Sequence, residues 1–177
     1  LNFIERKNSV NIYPIYSIHM SNVDVIVEIP KNTNIKYEYD EDLRMIRCDR
    51  ILNTPMMYPA NYGYIPGTLS GDGDPLDVLV LCDFSLHPNT VINCKIIGVL
   101  NTTDEKGVDD KIIAVPNDKI DRNSKSYDNI SDVSDDLKES IKYFFEHYKD
   151  LEKDKWVVVN SFENKEKAVE ILEKCQV

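Results

Sequence analysis

The sequence predicts an α+β protein that is mainly β, with a small barrel flanked by helices near the carboxyl end of the chain. Two observations carry this prediction. Before residue 117, short runs rich in Val, Ile and Tyr alternate with Pro, Gly, Asn and Asp. After residue 136, the apolar side chains instead recur at helical spacing. The order of the strands does not follow from this pattern.

The strand prediction depends on six apolar runs, because β-branched and aromatic residues favour strands. These runs cover residues 23–29, 35–39, 44–49, 78–82, 91–100 and 111–115. Turn-forming residues separate them, as at residues 30–34 and 71–75. A further short run lies around residues 156–159.

Two amphipathic helices are predicted after the strands, and Ser134 provides an N-cap for the first. A polar segment over residues 117–136, rich in Asp, Ser and Asn, is predicted to be a long surface connection. The apolar positions of the first helix are Leu137, Ile141, Phe144, Phe145 and Tyr148, and those of the second are Ala168, Ile171, Leu172 and Cys175.

The length of 177 residues, with 42% hydrophobic and 29% charged residues, is typical of one globular domain. We expect a single domain over residues 1–177, in which residues 1–20 have no evident role. These twenty residues lack the apolar core of a secretory signal, and no apolar run reaches the roughly 20 residues of a spanning helix. None of the four cysteines forms a C-x-x-C pair, which favours free thiols. We therefore expect a cytoplasmic protein without a membrane partner.

The chain is acidic, with a formal net charge of −10 from 31 Asp and Glu against 21 Lys and Arg. Proteins that bind nucleic acids usually carry a basic surface that replaces the phosphate counterions. The charge therefore argues against DNA, RNA or an anionic membrane as the main partner. It is compatible with a small anionic substrate if the carboxylates hold metal cations, because bound cations make the local field positive.

The most informative motif is DGDPLD at residues 72–77, which leads into an apolar strand. Its carboxylates, Asp72, Asp74 and Asp77, repel one another unless a cation lies between them. Hard carboxylate oxygens suit Mg²⁺, Mn²⁺ or Ca²⁺ better than zinc. By itself, a solvated turn explains the motif more simply, since Asp, Gly and Pro are common turn residues. An EF-hand fits poorly, because Asp77 stands where its loop requires glycine.

A second acidic group lies in TDEKGVDDK at residues 103–111, between two apolar runs. It carries Asp104, Asp109 and Asp110, and Lys111 leads directly into the next strand. A hairpin tip of this kind is normally inert. Together with the first acidic turn and the nearby cations, however, it is compatible with a phosphate site that holds two or three metals.

Further charged and phenolic residues lie within or beside the apolar runs. Lys36 and Glu38 share one strand face, Glu28 interrupts an apolar strand, and Arg50 ends another. A dense aromatic turn, YPANYGY, occupies residues 58–64. Singly, a salt bridge or a core tyrosine explains each of them better. Their number is what favours a shared site.

The first helix ends in FFEHYKD at residues 144–150. Tyr148 continues the apolar face, and Lys149 complements the helix dipole, so both have simple structural explanations. His147 is interpreted as structural or interfacial, and no histidine is assigned a metal.

From about residue 24 to about residue 164, the chain resembles the soluble inorganic pyrophosphatases of the bacterial type. The matching segments are VEIP at 27–30, IKYE at 35–38, DR at 49–50, YPANYGY at 58–64, DGDPLD at 72–77, GVL at 98–100, TDE at 103–105 and FFEHYKDLEK at 144–153. The resemblance implies an OB-like five-stranded barrel with flanking helices. It also implies several Mg²⁺ ions in each active site, with Mn²⁺ able to substitute, and a homohexamer of two trimers.

The resemblance implies a role for each matching residue. Asp74 matches the general base. Metal ligands are matched by Asp72, Asp77 and Asp109 for the first metal, with Asp77 bridging to a second, by Asp104 and Asp109 for the metal that arrives with substrate, and by Glu28 and Glu38 through water. Phosphate-holding residues are matched by Lys36, Arg50, Tyr62, Lys111, Tyr148 and Lys149, with Tyr58 in a supporting position.

The implied reaction is Mg²⁺-dependent hydrolysis of pyrophosphate to two orthophosphates. Metals held by the aspartates would neutralise the polyanion and lower the pKa of a water, whose proton Asp74 would accept. The cations and phenols would stabilise charge on the phosphate oxygens. The chain departs from the family pattern at residues 1–20, at residues 160–162, and at Tyr143, where some hexameric members carry histidine.

Two alternatives from other classes remain open. An OB-type module could bind single-stranded nucleic acid by stacking bases on Tyr58, Tyr62 and Tyr64, although the charge of −10 opposes it. Retention on heparin at low salt would identify such a module. A structural metal-binding protein without turnover is the second alternative, and sustained phosphate release would exclude it.

Overall fold

A computed structural model describes residues 21–177 of the chain, so the expectations about residues 1–20 lie outside it. The strands are β1 (Asn22–Ile29), β2 (Ile35–Asp40), β3 (Met45–Ile51), β4 (Asn61–Tyr64), β5 (Asp77–Val80), β6 (Thr90–Asp104), β7 (Gly107–Val108), β8 (Lys111–Pro116) and β9 (Val157–Glu163). The α-helices are α1 (Asp135–His147) and α2 (Lys165–Cys175). The described part of the protein is therefore mainly β with few helices, as predicted.

Seven of these strands form one sheet in the order β1-β4-β5-β8-β6-β7, with β9 paired to β6. Because β1 also pairs with β6, the strands β1, β4, β5, β8 and β6 close into a ring. All pairings in the ring are antiparallel except that of β5 with β8, which is parallel. Strands β2 and β3 form a separate two-stranded sheet. The OB-like barrel and the single domain over the whole chain stay predictions.

The six predicted strands are present, with ends shifted by a few residues. The interpretation of residues 58–64 as a turn was wrong for its second half, because Asn61–Tyr64 forms β4 between β1 and β5. Gly63 makes this possible. A Cβ atom there would lie 1.9 Å from the carbonyl oxygen of Ile26, so only glycine lets the two backbones approach this closely.

The N-cap prediction for the first helix is confirmed, because the Ser134 hydroxyl accepts a hydrogen bond from the Leu137 N–H at 3.3 Å. The predicted connection over residues 117–136 ends two residues early, since α1 already begins at Asp135. It also contains two short 3₁₀ helices, Arg122–Ser126 and Ile130–Asp132. The helix α2 is present as predicted.

Successive residues of β5 and β8 enter two different apolar clusters, because neighbouring side chains of a strand point to opposite faces. One cluster includes Leu79, Ile113, Phe144 and Phe145 and the other Val78, Ile112, Ala168 and Leu172. The first cluster packs against α1 and the second against α2. Each fully buried aliphatic or aromatic side chain contributes about 1.5–3 kcal/mol to folding. Neither α-helix of the described part has the length and apolar character needed to cross a bilayer.

Candidate active site

A cavity of about 780 Å³ opens beside the first residues of β5 and β8. Every residue to which the sequence assigned a role lines this cavity, although these residues come from segments spread over more than a hundred positions. They are Glu28, Lys36, Glu38, Arg50, Tyr58, Tyr62, Asp72, Asp74, Asp77, Asp104, Asp109, Lys111, Tyr148 and Lys149. The fold therefore brings the predicted residues together, and their individual roles stay predictions.

The acidic turn before β5 is held by its own backbone. The Ser70 N–H donates to the Asp74 carbonyl at 2.7 Å, and the Gly73 N–H donates to the Ser70 carbonyl at 3.1 Å. Gly73 adopts a φ of +92°, a conformation that glycine tolerates best. The Asp74 side chain is 64% exposed, and its carboxylate lies 3.3 Å from the ammonium group of Lys106 in the β6–β7 turn. The turn thus presents Asp74 to the open side of the cavity.

The parallel pairing of β5 with β8 places Asp77 next to Lys111. The Lys111 ammonium lies 2.9 Å from a carboxylate oxygen of Asp77 and 2.9 Å from one of Asp109. The Tyr62 hydroxyl also contacts Lys111, at 3.1 Å, and donates a hydrogen bond to Asp77. Burial alone would lower the pKa of Lys111, but Asp77 and Asp109 outweigh it and raise that pKa. Lys111 is therefore a permanent cation.

Burial keeps three of the tyrosines that line the cavity neutral: Tyr58, Tyr62 and Tyr148. Burial raises the pKa of Tyr62 well above its usual range, and the charge of Asp77 raises it further. Burial likewise raises the pKa of Tyr148 and of Tyr58. The Tyr148 ring stacks on Phe144 with centroids 5.0 Å apart, which orients the side chain at the carboxyl end of α1.

Two carboxylates of the cavity lie where burial disfavours their charge. Burial raises the pKa of Glu28 to about 7, although its carboxylate accepts a hydrogen bond from the Tyr39 N–H at 2.7 Å. Burial also raises the pKa of Asp109 to about 6, against the opposing effect of Lys111. A cation bound nearby would relieve this penalty, because an opposite charge favours the ionised form.

The second acidic group is organised by Lys149. The Lys149 ammonium lies 3.0 Å from Asp104 and 3.4 Å from Glu105, and both Lys149 and Asp104 are buried. Burial would raise the pKa of Asp104, but the hydrogen bond from Lys149 outweighs it, so this pKa is lowered. Asp110 does not line the cavity; its carboxylate accepts a hydrogen bond from Asn101 at 2.9 Å.

The β2–β3 hairpin supplies one wall of the cavity with Lys36, Glu38 and Arg50. Lys36 forms an ion pair with Glu38 on the same strand face, as predicted. Arg50 donates from Nε to Glu152 at 2.8 Å and from Nη1 to Asp49 at 2.7 Å. Burial would lower the pKa of Arg50, but Glu152 and Asp49 raise it.

Sequence reasoning missed several charged residues near the cavity. Glu105, Lys106 and Lys155 line it, and Glu152 contacts Arg50 from outside. Glu105 and Glu152 lie inside matched motifs, which could have drawn attention to them. Nothing in the spacing indicates that Lys106 reaches Asp74. His147 bonds to Asp150 at 2.8 Å and is absent from the cavity lining, consistent with its structural interpretation.

The donor set of the cavity fits a hard divalent cation. Its ionisable acceptors are carboxylates, and of the described residues that line it none is a cysteine or a histidine. Within residues 21–177, no three such side chains converge closely enough to hold a metal as they stand. In this arrangement the Lys111 ammonium lies between Asp77 and Asp109. A cation bound nearby would favour the ionised form of Glu28 and Asp109, whose pKa values burial raises.

Comparison with known proteins gives one consistent result. A family model described as inorganic pyrophosphatase matches residues 25–177. The inorganic pyrophosphatase of Helicobacter pylori is 49% identical over 151 residues, covering 85% of this chain and 87% of that protein. The enzyme of the same name from Rickettsia conorii is 52% identical over 147 residues, covering 82% of this chain and 85% of that protein.

Solved structures show the same likeness. The inorganic pyrophosphatase structure from Helicobacter pylori matches with a TM-score of 0.87 at 47% identity, over 89% of this chain and 93% of that chain. The inorganic pyrophosphatase structure from Thermus thermophilus has a TM-score of 0.87 at 40% identity, over 92% of this chain and 93% of that chain. Fold, cavity and likeness together define a mainly β hydrolase. Within that class, the chain belongs to the inorganic pyrophosphatase family.

Proposed function

We propose that this protein hydrolyses pyrophosphate to two orthophosphates and that it requires Mg²⁺. The observation that carries the proposal is the cavity, in which carboxylates suited to Mg²⁺ lie beside lysines and an arginine suited to phosphate. Pyrophosphate is a polyanion, so a site for it needs more positive charge than these side chains supply alone. Mg²⁺ would neutralise phosphate oxygens and acidify a water when bound.

The proposed metal-holding residues come from three places in the fold. The first place is the start of β5, with Asp72 in the preceding turn and Asp77 as its first residue. The second is the segment from the end of β6 to β8, with Asp104 and Asp109. The third place is β1 and β2, whose Glu28 and Glu38 would act through water. The raised pKa values of Asp109 and Glu28 support this assignment, because a carboxylate penalised by burial gains most from a cation.

The proposed phosphate-holding residues surround the same space. Lys36, Arg50, Lys111 and Lys149 would place cations against the phosphate oxygens, and Arg50 can bind two oxygens with its planar group. The neutral hydroxyls of Tyr62 and Tyr148 would donate hydrogen bonds without adding charge, and Tyr58 would support them by packing on Phe144, 4.8 Å away between ring centroids.

The proposed general base is Asp74. Its carboxylate is exposed and pairs at 3.3 Å with Lys106, which is also exposed, whereas those of Asp77 and Asp109 are each bonded to the buried Lys111. A base must be able to approach the proton that it accepts, and the exposed carboxylate meets this requirement. Asp74 would accept the proton of the attacking water and orient that water for in-line displacement of one phosphate.

The decisive test is phosphate release from pyrophosphate with Mg²⁺, and with an excess of chelator, for the wild type and Asp74→Asn. We expect fast release that needs Mg²⁺ and falls steeply in the variant. A folded wild-type protein that releases no phosphate with Mg²⁺ would contradict the proposal and favour a structural metal-binding protein. Release that is undiminished in Asp74→Asn would keep the reaction but remove the role of Asp74.

Of the three tyrosines of the nucleic-acid alternative, two are buried and Tyr64 is partly exposed. Tyr58 is 2% exposed and Tyr62 is 9% exposed, so neither offers a face on which a base could stack. Tyr58 instead packs among Phe144, Tyr62 and Tyr148. Failure to bind heparin at low salt would agree with this, since the chain carries a net charge of −10.

We further propose a homohexamer of two trimers. Large apolar side chains on the surface, such as Phe84, Met45 and Leu151, are 65–69% exposed and could be covered by other subunits. Tyr143 is 60% exposed and its ring lies 4.4 Å from that of His147, so this part of α1 is available for a subunit contact. Sedimentation velocity would distinguish a hexamer from a trimer or a monomer.

A cytoplasmic location is proposed from the cysteines. Cys48, Cys82, Cys94 and Cys175 are all free, and burial raises the pKa of the Cys94 thiol, which makes it unreactive. Four unpaired thiols agree with a reducing compartment. Cell fractionation would test the location.

A further inference from the structure

We infer that Glu152 is a positioning residue for the proposed hydrolysis: it holds the guanidinium group of Arg50 in place over the cavity. The inference rests on the proposed function, in which Arg50 binds phosphate. Glu152 does not line the cavity and would not touch the substrate. Its effect would pass entirely through Arg50.

The contact between these two residues is a short, shielded ion pair. The Arg50 Nε lies 2.8 Å from a carboxylate oxygen of Glu152, and the Glu152 side chain is only 10% exposed. Such charge-assisted bonds are stronger than exposed ion pairs, because water screens them less. The two residues stand 102 positions apart, so the bond joins distant parts of the fold.

Glu152 is itself fixed by the turn that follows α1. The Glu152 N–H donates to the carbonyl of Lys149 at 2.8 Å, and the Asp150 N–H donates to the carbonyl of His147 at 3.0 Å. This turn also presents Tyr148 and Lys149 to the cavity. The Arg50–Glu152 bond therefore ties the arginine to the same element that carries two other proposed phosphate-holding residues.

Arg50 lies on a strand that has little burial of its own to fix it. Strand β3 is largely exposed, and the β2–β3 pair is separate from the seven-stranded sheet. Two carboxylates from outside bond to this hairpin: Glu28 accepts from the Tyr39 N–H, and Glu152 accepts from Arg50. Glu152 thus anchors the end of the hairpin that carries Arg50.

Asp49, the second partner of Arg50, cannot fix the arginine relative to the rest of the cavity. Asp49 accepts a hydrogen bond from Arg50 at 2.7 Å, but it is 32% exposed and is the neighbouring residue on the same hairpin. It can orient the guanidinium relative to β3 and cannot fix β3 relative to the cavity. A guanidinium has five N–H donors, so the bonds to Glu152 and Asp49 leave others for a phosphate.

A double-mutant cycle tests the inference, because it separates action through Arg50 from a general effect on folding. The variants are Glu152→Gln, Arg50→Gln and the double variant, each assayed for kcat and KM with pyrophosphate and Mg²⁺. Glu152→Gln keeps the shape of the side chain and removes its charge. We expect it to lower kcat/KM about tenfold in the wild type and to have no further effect in the Arg50→Gln background.

Glu146→Gln is the matched control. Glu146 lies on α1 and pairs with Lys142 at 3.7 Å on the surface, outside the cavity lining. We expect this variant to leave kcat/KM unchanged. Thermal unfolding of every variant shows whether it is folded at the assay temperature. If Glu152→Gln is unfolded there, Glu152→Asp replaces it in the cycle, with the charge kept and the reach to Arg50 shortened.

The outcomes are distinct. Effects that multiply in the double variant would overturn the inference, since Glu152 would then act independently of Arg50. An unchanged kcat/KM in Glu152→Gln would overturn it as well. If the wild type releases phosphate and the cycle is additive in free energy, the proposed function stands and only this inference fails. If the wild type releases none, the proposed function fails and the inference fails with it.

Discussion

Lys111 is buried between Asp77 and Asp109, and its one positive charge is shared by two carboxylates. Tyr62 adds a hydrogen bond to Asp77 and touches the same ammonium group. Removing Asp77 would therefore break two contacts and strip a proposed metal ligand at the same time. Lys149 also has two contacts, with Asp104 and Glu105, but it is one cation among several around the cavity and is not a proposed metal ligand.

We predict that Asp77→Ala damages hydrolysis more than Lys149→Ala does. Loss of one cationic contact should lower kcat about 10²-fold, which is typical for one group that stabilises transition-state charge. Loss of Asp77 should lower kcat at least a further tenfold, because it removes a proposed metal ligand as well as a partner of the buried Lys111. The measurement is kcat at saturating Mg²⁺ and pyrophosphate for both folded variants. Equal activity of the two would refute the ranking.

Glu28 gives a second prediction at this scale, because burial raises its pKa from 4.5 to about 7. Below pH 4.5 Glu28 is protonated in both the folded and the unfolded chain, so it does not lower the free energy of unfolding. Between pH 4.5 and 7 the folded chain binds more protons than the unfolded one, so stability falls as the pH rises. Above pH 7 the free energy of unfolding is lowered by the full amount, up to about 3 kcal/mol at 1.36 kcal/mol per pKa unit.

Glu28→Gln should accordingly stabilise the metal-free protein at pH 8 and leave it nearly unchanged at pH 4. The measurement is urea unfolding in the presence of chelator at both pH values. Glu146→Gln serves as the control, since Glu146 is a surface residue of α1 that pairs with Lys142. A stabilisation that is equal at the two pH values would show that the charge of Glu28 is not its cause.

At the scale of elements, the close approach of β1 and β4 depends on Gly63. A Cβ atom at this position would lie 1.9 Å from the Ile26 carbonyl oxygen, and both atoms belong to backbone that cannot turn aside. Strand β4 carries Tyr62 into the cavity and pairs with β5 at Asp77. A disturbance here therefore reaches the site as well as the ring of strands.

We predict that Gly63→Ala destabilises the protein by about 3 kcal/mol or prevents folding, in the upper range for overpacked sites. Gly67→Ala is the matched control. Gly67 has a φ of +76° but nothing within 4 Å of an added Cβ, so only the backbone strain of about 1–2 kcal/mol applies. Chemical denaturation measures both. A loss for Gly63→Ala no larger than for Gly67→Ala would contradict the steric explanation.

The same strand shows what the sequence can and cannot predict. Period-2 runs and helical spacing depend on residues close together in the chain, so β1, β6, β8 and both helices were predictable. Strand β4 was not predicted, because its four residues include Gly63 and follow a turn-like segment. The strand order was not predicted, because strands pair through residues that are far apart in the sequence. The parallel register that places Asp77 beside Lys111 is an example.

The sequence predicted residues that line one cavity, but it did not predict how these residues contact one another. Motif resemblance selected residues that all line one cavity, because the spacing within each motif is local. The bonds from Lys106 to Asp74 and from Arg50 to Glu152 join segments 32 and 102 positions apart. No local pattern encodes such pairs, since they arise from where the hairpins come to lie in the folded chain.

At the scale of the whole molecule, the charge of the cavity follows the charge of the chain. The net charge is −10, and the described cavity lining contains more carboxylates than lysines and arginines. Excess negative charge in one place destabilises the fold, because like charges repel at short range with little screening. A divalent cation that binds there only in the folded state would relieve the repulsion and would stabilise the whole molecule.

We therefore predict that Mg²⁺ raises the free energy of unfolding even without substrate. A ligand that binds only the folded state at one hundred times its Kd adds about 2.7 kcal/mol. The measurement is thermal or urea unfolding in MgCl₂ against NaCl at equal ionic strength, so that general screening is the same in both. Asp77→Ala should lose most of the response, whereas Glu146→Gln should keep it. If NaCl stabilises the wild type as much as MgCl₂ does, the carboxylates hold no specific cation and the excess charge is relieved by screening alone.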